Sequence, residues 1–222
     1  NLGFTDCSTP KEGGALNIVC NSIEINNTCA YLCEATGKNG QFAKLSCNNN
    51  RIMNHLTFLT VSHCGPNNQG KTALEISGLS CYNIKNFNSS NNKNNFDLKS
   101  YGACFRTQGI LYHYSMYINF ANNQGYDIFN THFNEYPKLG NGTFQYGNVI
   151  NCSTNRIFQF QGINYVDKFR FIKLTYIDKS FWCGSMSKYP NFLSFYNTQI
   201  DTGPVGMDSN VNINGGCNVN RN

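Results

Sequence analysis

The sequence predicts an all-β protein in which antiparallel strands form two sheets packed face to face. Three observations lead there. In Gly109–Phe120, GILYHYSMYINF, the residues Ile110, Tyr112, Tyr114, Met116, Ile118 and Phe120 recur at period two, which fits a strand with one buried face and no helical stripe. The 222 residues include 13 Tyr and 17 Phe but no long Ala/Leu/Glu/Lys run, a bias that suits strands. Turn chemistry returns every 8–15 residues or so, giving about ten short strands, the spacing of a sandwich.

Taken in order, residues 1–14 read as a loop with Pro10 and Gly13-Gly14. A strand follows over 15–25, with Leu16, Ile18 and Cys20 on one face. Gly37–Gly40 is a turn and 41–47 a short strand. Leu56–Cys64 and Lys71–Tyr82 read as a hairpin around the turn-rich GPNNQG of 65–70. Residues 83–95 carry Asn at seven positions and are expected as a long exposed loop. Strands are expected at 109–120, 126–133, 143–152, 156–161 and 168–177, with 162–167 as a separator. In 168–177, Phe169 and Phe171 lie opposite Ile172, Leu174 and Tyr176, so either both faces are covered or a bulge near Ile172 switches them. Residues 191–196 form a short strand, and 201–222 an irregular C-terminal segment with a short strand at Val211 and Ile213. The whole of 1–222 is read as a single domain, with no repeat of fixed period.

Charge and cysteine content narrow the function. Net charge is +5 with no run of five like charges, which argues against a nucleic-acid stripe. The 11 cysteines are Cys7, Cys20, Cys29, Cys33, Cys47, Cys64, Cys81, Cys104, Cys152, Cys183 and Cys217. Their spacing matches no zinc finger or ribbon, so several disulfides in an oxidising compartment are expected, with the pairing open and one thiol left over. Cys29 and Cys33 are expected to reach different partners. Sequons at Asn26, Asn88, Asn141 and Asn151 agree with secretion as a glycoprotein. With no initiator Met, leader or long apolar run, the chain reads as an extracellular ectodomain piece of something longer.

No catalytic pattern is present. G-x-S-x-G, H-E-x-x-H and phosphate-binding glycine loops are missing, and His55, His63, His113 and His132 are scattered. His113 is expected as a structural imidazole. No enzyme activity, no cofactor and no metal are therefore expected. What remains is a surface rich in Asn, Gln, Ser and Tyr, whose amides and flat apolar faces suit sugars.

Several blocks in the first two thirds carry a likeness. They are Asp6-Cys7, Gly13-Gly14-Ala15-Leu16-Asn17-Ile18-Val19, Thr28-Cys29-Ala30-Tyr31-Leu32-Cys33, Cys47, Leu59-Thr60-Val61-Ser62, Cys81-Tyr82-Asn83, the Asn141 sequon and Val149-Ile150-Asn151-Cys152. In their order they resemble the amino-terminal S1 domain of gammacoronavirus spikes. The resemblance implies a galectin-like β-sandwich with long loops on a virion surface. It implies attachment to host cell-surface glycans, sialylated or Gal/GalNAc-terminated, and the rest of a spike trimer as a further partner. No binding residue transfers from it.

The residues suggest one site themselves: Trp182, the only Trp, together with Tyr189 and Asn191, beside a Pro turn and Cys183. Core packing of Trp182 is the alternative. Two other functions stay open, a module for a host protein receptor and a secreted glycan esterase.

Overall fold

The structure, a computed structural model, describes residues 1–36, 40–65, 72–94, 102–133, 140–176, 182–184, 192–201, 211–213 and 218–220. It is all-β, but the strands run parallel and the chain winds as a solenoid. Each coil lays one strand on a long sheet and one on a second sheet, and the next coil stacks on it. The long sheet runs Leu2–Thr5, Glu24–Tyr31, Met53–Ser62, Cys81–Ser90, Tyr112–Ala121, Asn141–Ile150, Ile163–Ile172, Phe192–Tyr196 and Val211–Ile213, with Gln199–Asp201 and Asn218–Asn220 alongside its end. The second runs Leu16–Cys20, Ala43–Cys47, Leu74–Ser77, Gly102–Ile110, Gln124–Phe133, Ser153–Gln161 and Thr175–Tyr176, with Trp182–Gly184 also on Ser153–Gln161.

The antiparallel, galectin-like sandwich is thus overturned. Period-two alternation reports which side of a strand is buried and is silent on strand direction. The corners distinguish the two folds. Antiparallel hairpins turn through two-residue loops, whereas here the chain bends at single residues with positive φ. One column of them stands at the corner leaving the long sheet: Asp6, Leu32, His63, Asn91, Asn122, Asn151 and Lys173. A second column kinks the long strands midway: Asn27, Phe58, Asn86, Tyr117, Tyr146, Lys168 and Asn197. Asn and Asp tolerate this conformation best, so the Asn bias has a structural use.

Each kink shifts the alternation by one residue. In Tyr112–Ala121 the buried residues are His113 and Ser115 before Tyr117, then Ile118 and Phe120 after it. Tyr112, Tyr114 and Met116, expected in the core with Ile118 and Phe120, therefore face out. Ile110 belongs to the preceding strand on the second sheet. The switch expected near Ile172 is the corner at Lys173.

Other expectations change for the same reason. Met53–Ser62 and Cys81–Ser90 are parallel neighbours in successive coils, not a hairpin, and Leu74–Ser77 between them lies on the second sheet. Most of the expected 83–95 loop is strand: Ile84, Phe87 and Ser89 of Cys81–Ser90 point inward, and residue 95 lies outside the described residues. The expected separator 162–167 shrinks to Gly162, whose φ of 85° makes the turn into Ile163–Ile172. In the 201–222 segment, Val211–Ile213 and Asn218–Asn220 are strands, and Cys217 lies outside the described residues.

Phenylalanines fill the interior. Phe129 stacks on Phe158 with centroids 4.6 Å apart, and Phe144 meets Phe129 edge-on at 4.8 Å. Pairs of this kind contribute about 0.5–1.5 kcal/mol beyond area burial. On the other side of Leu74–Ser77 from Leu74 and Ile76, Glu75 is buried, with Arg106 Nη1 2.7 Å from Oε2 and Lys44 Nζ 3.8 Å from Oε1.

Candidate functional site: a tyrosine-lined face

The mid-strand kink turns three outward columns of the long sheet into one surface over four coils. Register sets Tyr114, Thr143, Tyr165 and the buried Ser194 in the first column and Met116, Gln145, Asp167 and Tyr196 in the second. The kink residues Tyr117, Tyr146, Lys168 and Asn197 form the third. Adjacent rungs lie about 4.8 Å apart, so side chains in a column touch.

The contacts run along the solenoid axis. Tyr117 and Tyr146 stack with centroids 5.4 Å apart and planes 20° from parallel. Lys168 Nζ sits 4.7 Å above the Tyr146 ring and donates to its hydroxyl at 3.0 Å. That hydrogen bond raises the Lys168 pKa, keeping the ammonium charged. From the first column the Tyr114 hydroxyl donates to Gln145 Oε1 of the second, and Gln145 Nε2 donates to Asp167 Oδ2 at 3.2 Å. Asn197 Nδ2 donates to Asp167 Oδ1 at 3.1 Å. Tyr117, Tyr146, Tyr165 and Tyr196 remain 37–48% exposed. The arrangement offers ring faces flanked by fixed amides.

Next to it lies a polar ladder. Asn119 Nδ2 donates to Asn88 Oδ1 at 3.0 Å, and Asn148 Nδ2 to Asn119 Oδ1 at 2.8 Å. The next rung of the same column is Arg170, exposed, with Lys168 on the same strand and Lys173 at the corner. Three cations thus border the tyrosines along one coil.

The residues expected to form the site are not brought together within the described residues. Trp182 pairs through its backbone with Phe158 on the second sheet. Tyr189 and Asn191 lie outside the described residues. Of the sequon residues, Asn26, Asn88 and Asn151 are exposed on the long sheet or its corner, and Asn141 is half-buried at the start of its strand. Asn26 Oδ1 accepts from Thr57, and Asn151 Nδ2 donates to Asn122 Oδ1 at 2.7 Å. Cys29 is exposed and Cys33 buried, so the two point to different surroundings.

The tyrosine face left a trace in the sequence. NFNSSN at 86–91, YINFAN at 117–122, YGNVIN at 146–151 and KFRFIK at 168–173 are one six-residue pattern, from kink to corner. A search for a fixed period misses it because the intervals between copies differ.

Among the described residues no helix is long and apolar enough to cross a membrane. Compared with protein-family models, with curated proteins and with solved structures, the chain finds no match. The likeness to gammacoronavirus spike domains thus gains no support from these comparisons, and the sandwich it implies is not the fold.

Proposed function

We propose that the protein is a glycan-binding attachment module whose tyrosine-lined face holds an acidic sugar chain lying along the solenoid axis. The observation that carries this is the Tyr117–Tyr146–Lys168 stack beside the Tyr114–Gln145–Asp167–Asn197 chain. Sugar rings need a flat apolar partner for their C–H face and paired donors and acceptors for their hydroxyls. Both repeat here from coil to coil, which suits a repeating ligand. Lys168, Arg170 and Lys173 favour carboxylate- or sulfate-bearing chains, because charge-assisted hydrogen bonds are the stronger ones. Binding is favoured over hydrolysis: among the twelve positions of the patch Asp167 is the single carboxylate, and both its oxygens accept from amides. Glycosidases generally need two. Weak contacts per copy become useful when many copies engage one surface.

The test is a glycan array probed with clustered protein, comparing acidic and neutral chains at two salt concentrations. Acidic chains should bind better, and the preference should shrink at high salt. Tyr117→Ala with Tyr146→Ala should weaken binding about tenfold or more, as expected where about 1.4 kcal/mol or more of contact is removed. No signal on any glycan, or full binding by the double variant, would overturn the reading.

A further inference from the structure

The inward corner position, one residue after each positive-φ corner, forms a column of its own. It reads Cys7, Cys33, Cys64, Asn92, Asn123, Cys152 and Leu174 down successive coils. Backbone bonds fix the register: Glu34 N donates to Cys7 O at 2.8 Å, Gly65 N to Cys33 O at 2.9 Å and Lys93 N to Cys64 O at 3.0 Å. Cys7, Cys33 and Cys64 also adopt one side-chain orientation. Each thiol points at the carbonyl two residues back, on Thr5, Tyr31 and Ser62, at 3.6–3.7 Å. Three thiols therefore stand on consecutive rungs. On the second sheet, Cys20 and Cys47 are register partners with Sγ atoms 3.0 Å apart.

Adjacent rungs put paired Cα atoms about 4.8 Å apart, within the span a disulfide bridges. Two rungs, about 9.5 Å, exceed it. Of three stacked thiols only one pair can join, and Cys33 must belong to it. Cys64 is the deeper neighbour: it and Cys33 are fully buried, while Cys7 is partly exposed. Cys152 lies beyond Asn92 and Asn123 and cannot reach the three.

We propose that the first coils are locked along the axis by two disulfides, Cys20–Cys47 and Cys33–Cys64, with Cys7 remaining a thiol. For each bond, two thiols lose two protons and two electrons. A disulfide oxidant such as oxidised glutathione takes them up and leaves as two thiols. The hydrogen bond from Cys64 lowers the Cys33 pKa, which makes Cys33 the readier of the two to supply the attacking thiolate. Among the described residues no group of three or more His, Cys, Asp or Glu is placed to hold a metal ion.

The experiment is peptide mapping without reductant on full-length protein folded in a glutathione redox pair, after alkylation in denaturant. Linked peptides Cys20–Cys47 and Cys33–Cys64 with alkylated Cys7 are expected. A Cys7–Cys33 link, or alkylation of Cys20 and Cys47, overturns the assignment. In Cys33→Ser, both Cys7 and Cys64 should alkylate while Cys20–Cys47 stays closed. A Cys7–Cys64 bond there would refute the column's register. Circular dichroism on the same samples confirms that the variant folds.

Discussion

His113 is the residue whose environment is most at odds with its chemistry. It is buried between Phe105, Phe133 and Phe144, with centroids 4.6–5.5 Å away. Its Nδ1 meets Ser115 Oγ at 3.0 Å. Burial lowers its pKa to about 3. The folded state holds the ring neutral, whereas the unfolded chain takes up a proton near the usual 6.5 or so. Proton linkage at His113 therefore contributes nothing above that pH, and stability falls as the pH drops from there towards 3. The expected slope is about 1.4 kcal/mol per pH unit. Urea titrations at several pH values should show it, and His113→Phe should flatten it even if its stability at neutral pH differs. Gly147 shows the opposite economy of space. A Cβ there would lie 2.3 Å from Phe169 Cζ and 2.6 Å from the Ile118 carbonyl oxygen. Gly147→Ala should therefore cost about 1–3 kcal/mol, read as a lower unfolding midpoint.

At the scale of one element, the corner column continues below the cysteines as a buried amide ladder. Asn123 Oδ1 accepts from the Asn92 backbone N–H at 3.0 Å and from Asn92 Nδ2 at 3.1 Å. Asn123 Nδ2 donates to the Ser89 carbonyl at 2.9 Å, and Asn92 Oδ1 caps the Cys64 N–H at 2.8 Å. Each amide satisfies backbone that the turn leaves without a ladder partner. Asn123→Leu keeps the volume but strands the Asn92 N–H, so a loss of about 1–3 kcal/mol is expected in urea unfolding. This is also where sequence reading succeeded and failed. The strands expected at 41–47, 126–133, 156–161 and 191–196 overlap the observed 43–47, 124–133, 153–161 and 192–196, because turn residues bound them. The Asn run at 83–95 read as loop because Asn normally marks exposed turns. Nothing local tells an Asn that faces a corner interior from one that faces water. The tyrosines at 114, 117, 146 and 165 were legible as aromatics but not as neighbours. Their adjacency follows from parallel stacking and from a phase shift at Tyr117, without which alternation puts Tyr114 on the buried face.

For the whole molecule, the determining fact is which lengths vary and which do not. Register partners lie 22 residues apart from Asn141 to Ile163, 29 from Tyr112 to Asn141 and 31 from Cys81 to Tyr112. Yet kink and corner stay five residues apart in six coils, from Asn27 and Leu32 to Lys168 and Lys173. The variable length falls largely where the chain passes between sheets. Seven residues separate Phe133 from Asn141, while one separates Gln161 from Ile163. A solenoid tolerates this because each coil needs only its own neighbours in register. The two kinds of position should then answer oppositely to insertion. Two residues, Gly-Ser, added between Gly162 and Ile163 lengthen a connection that the previous coil already makes longer. Loop entropy grows slowly with length, so the expected cost is about 1 kcal/mol or less. One Ala inserted between Asn148 and Val149 reverses the side chains up to the corner. It turns Val149 outward and breaks the step from Tyr146 to Asn151. That variant should lose cooperative urea unfolding or shift its midpoint far below the first. Equal effects from the two insertions would mean that the five-residue spacing does not hold the coils together.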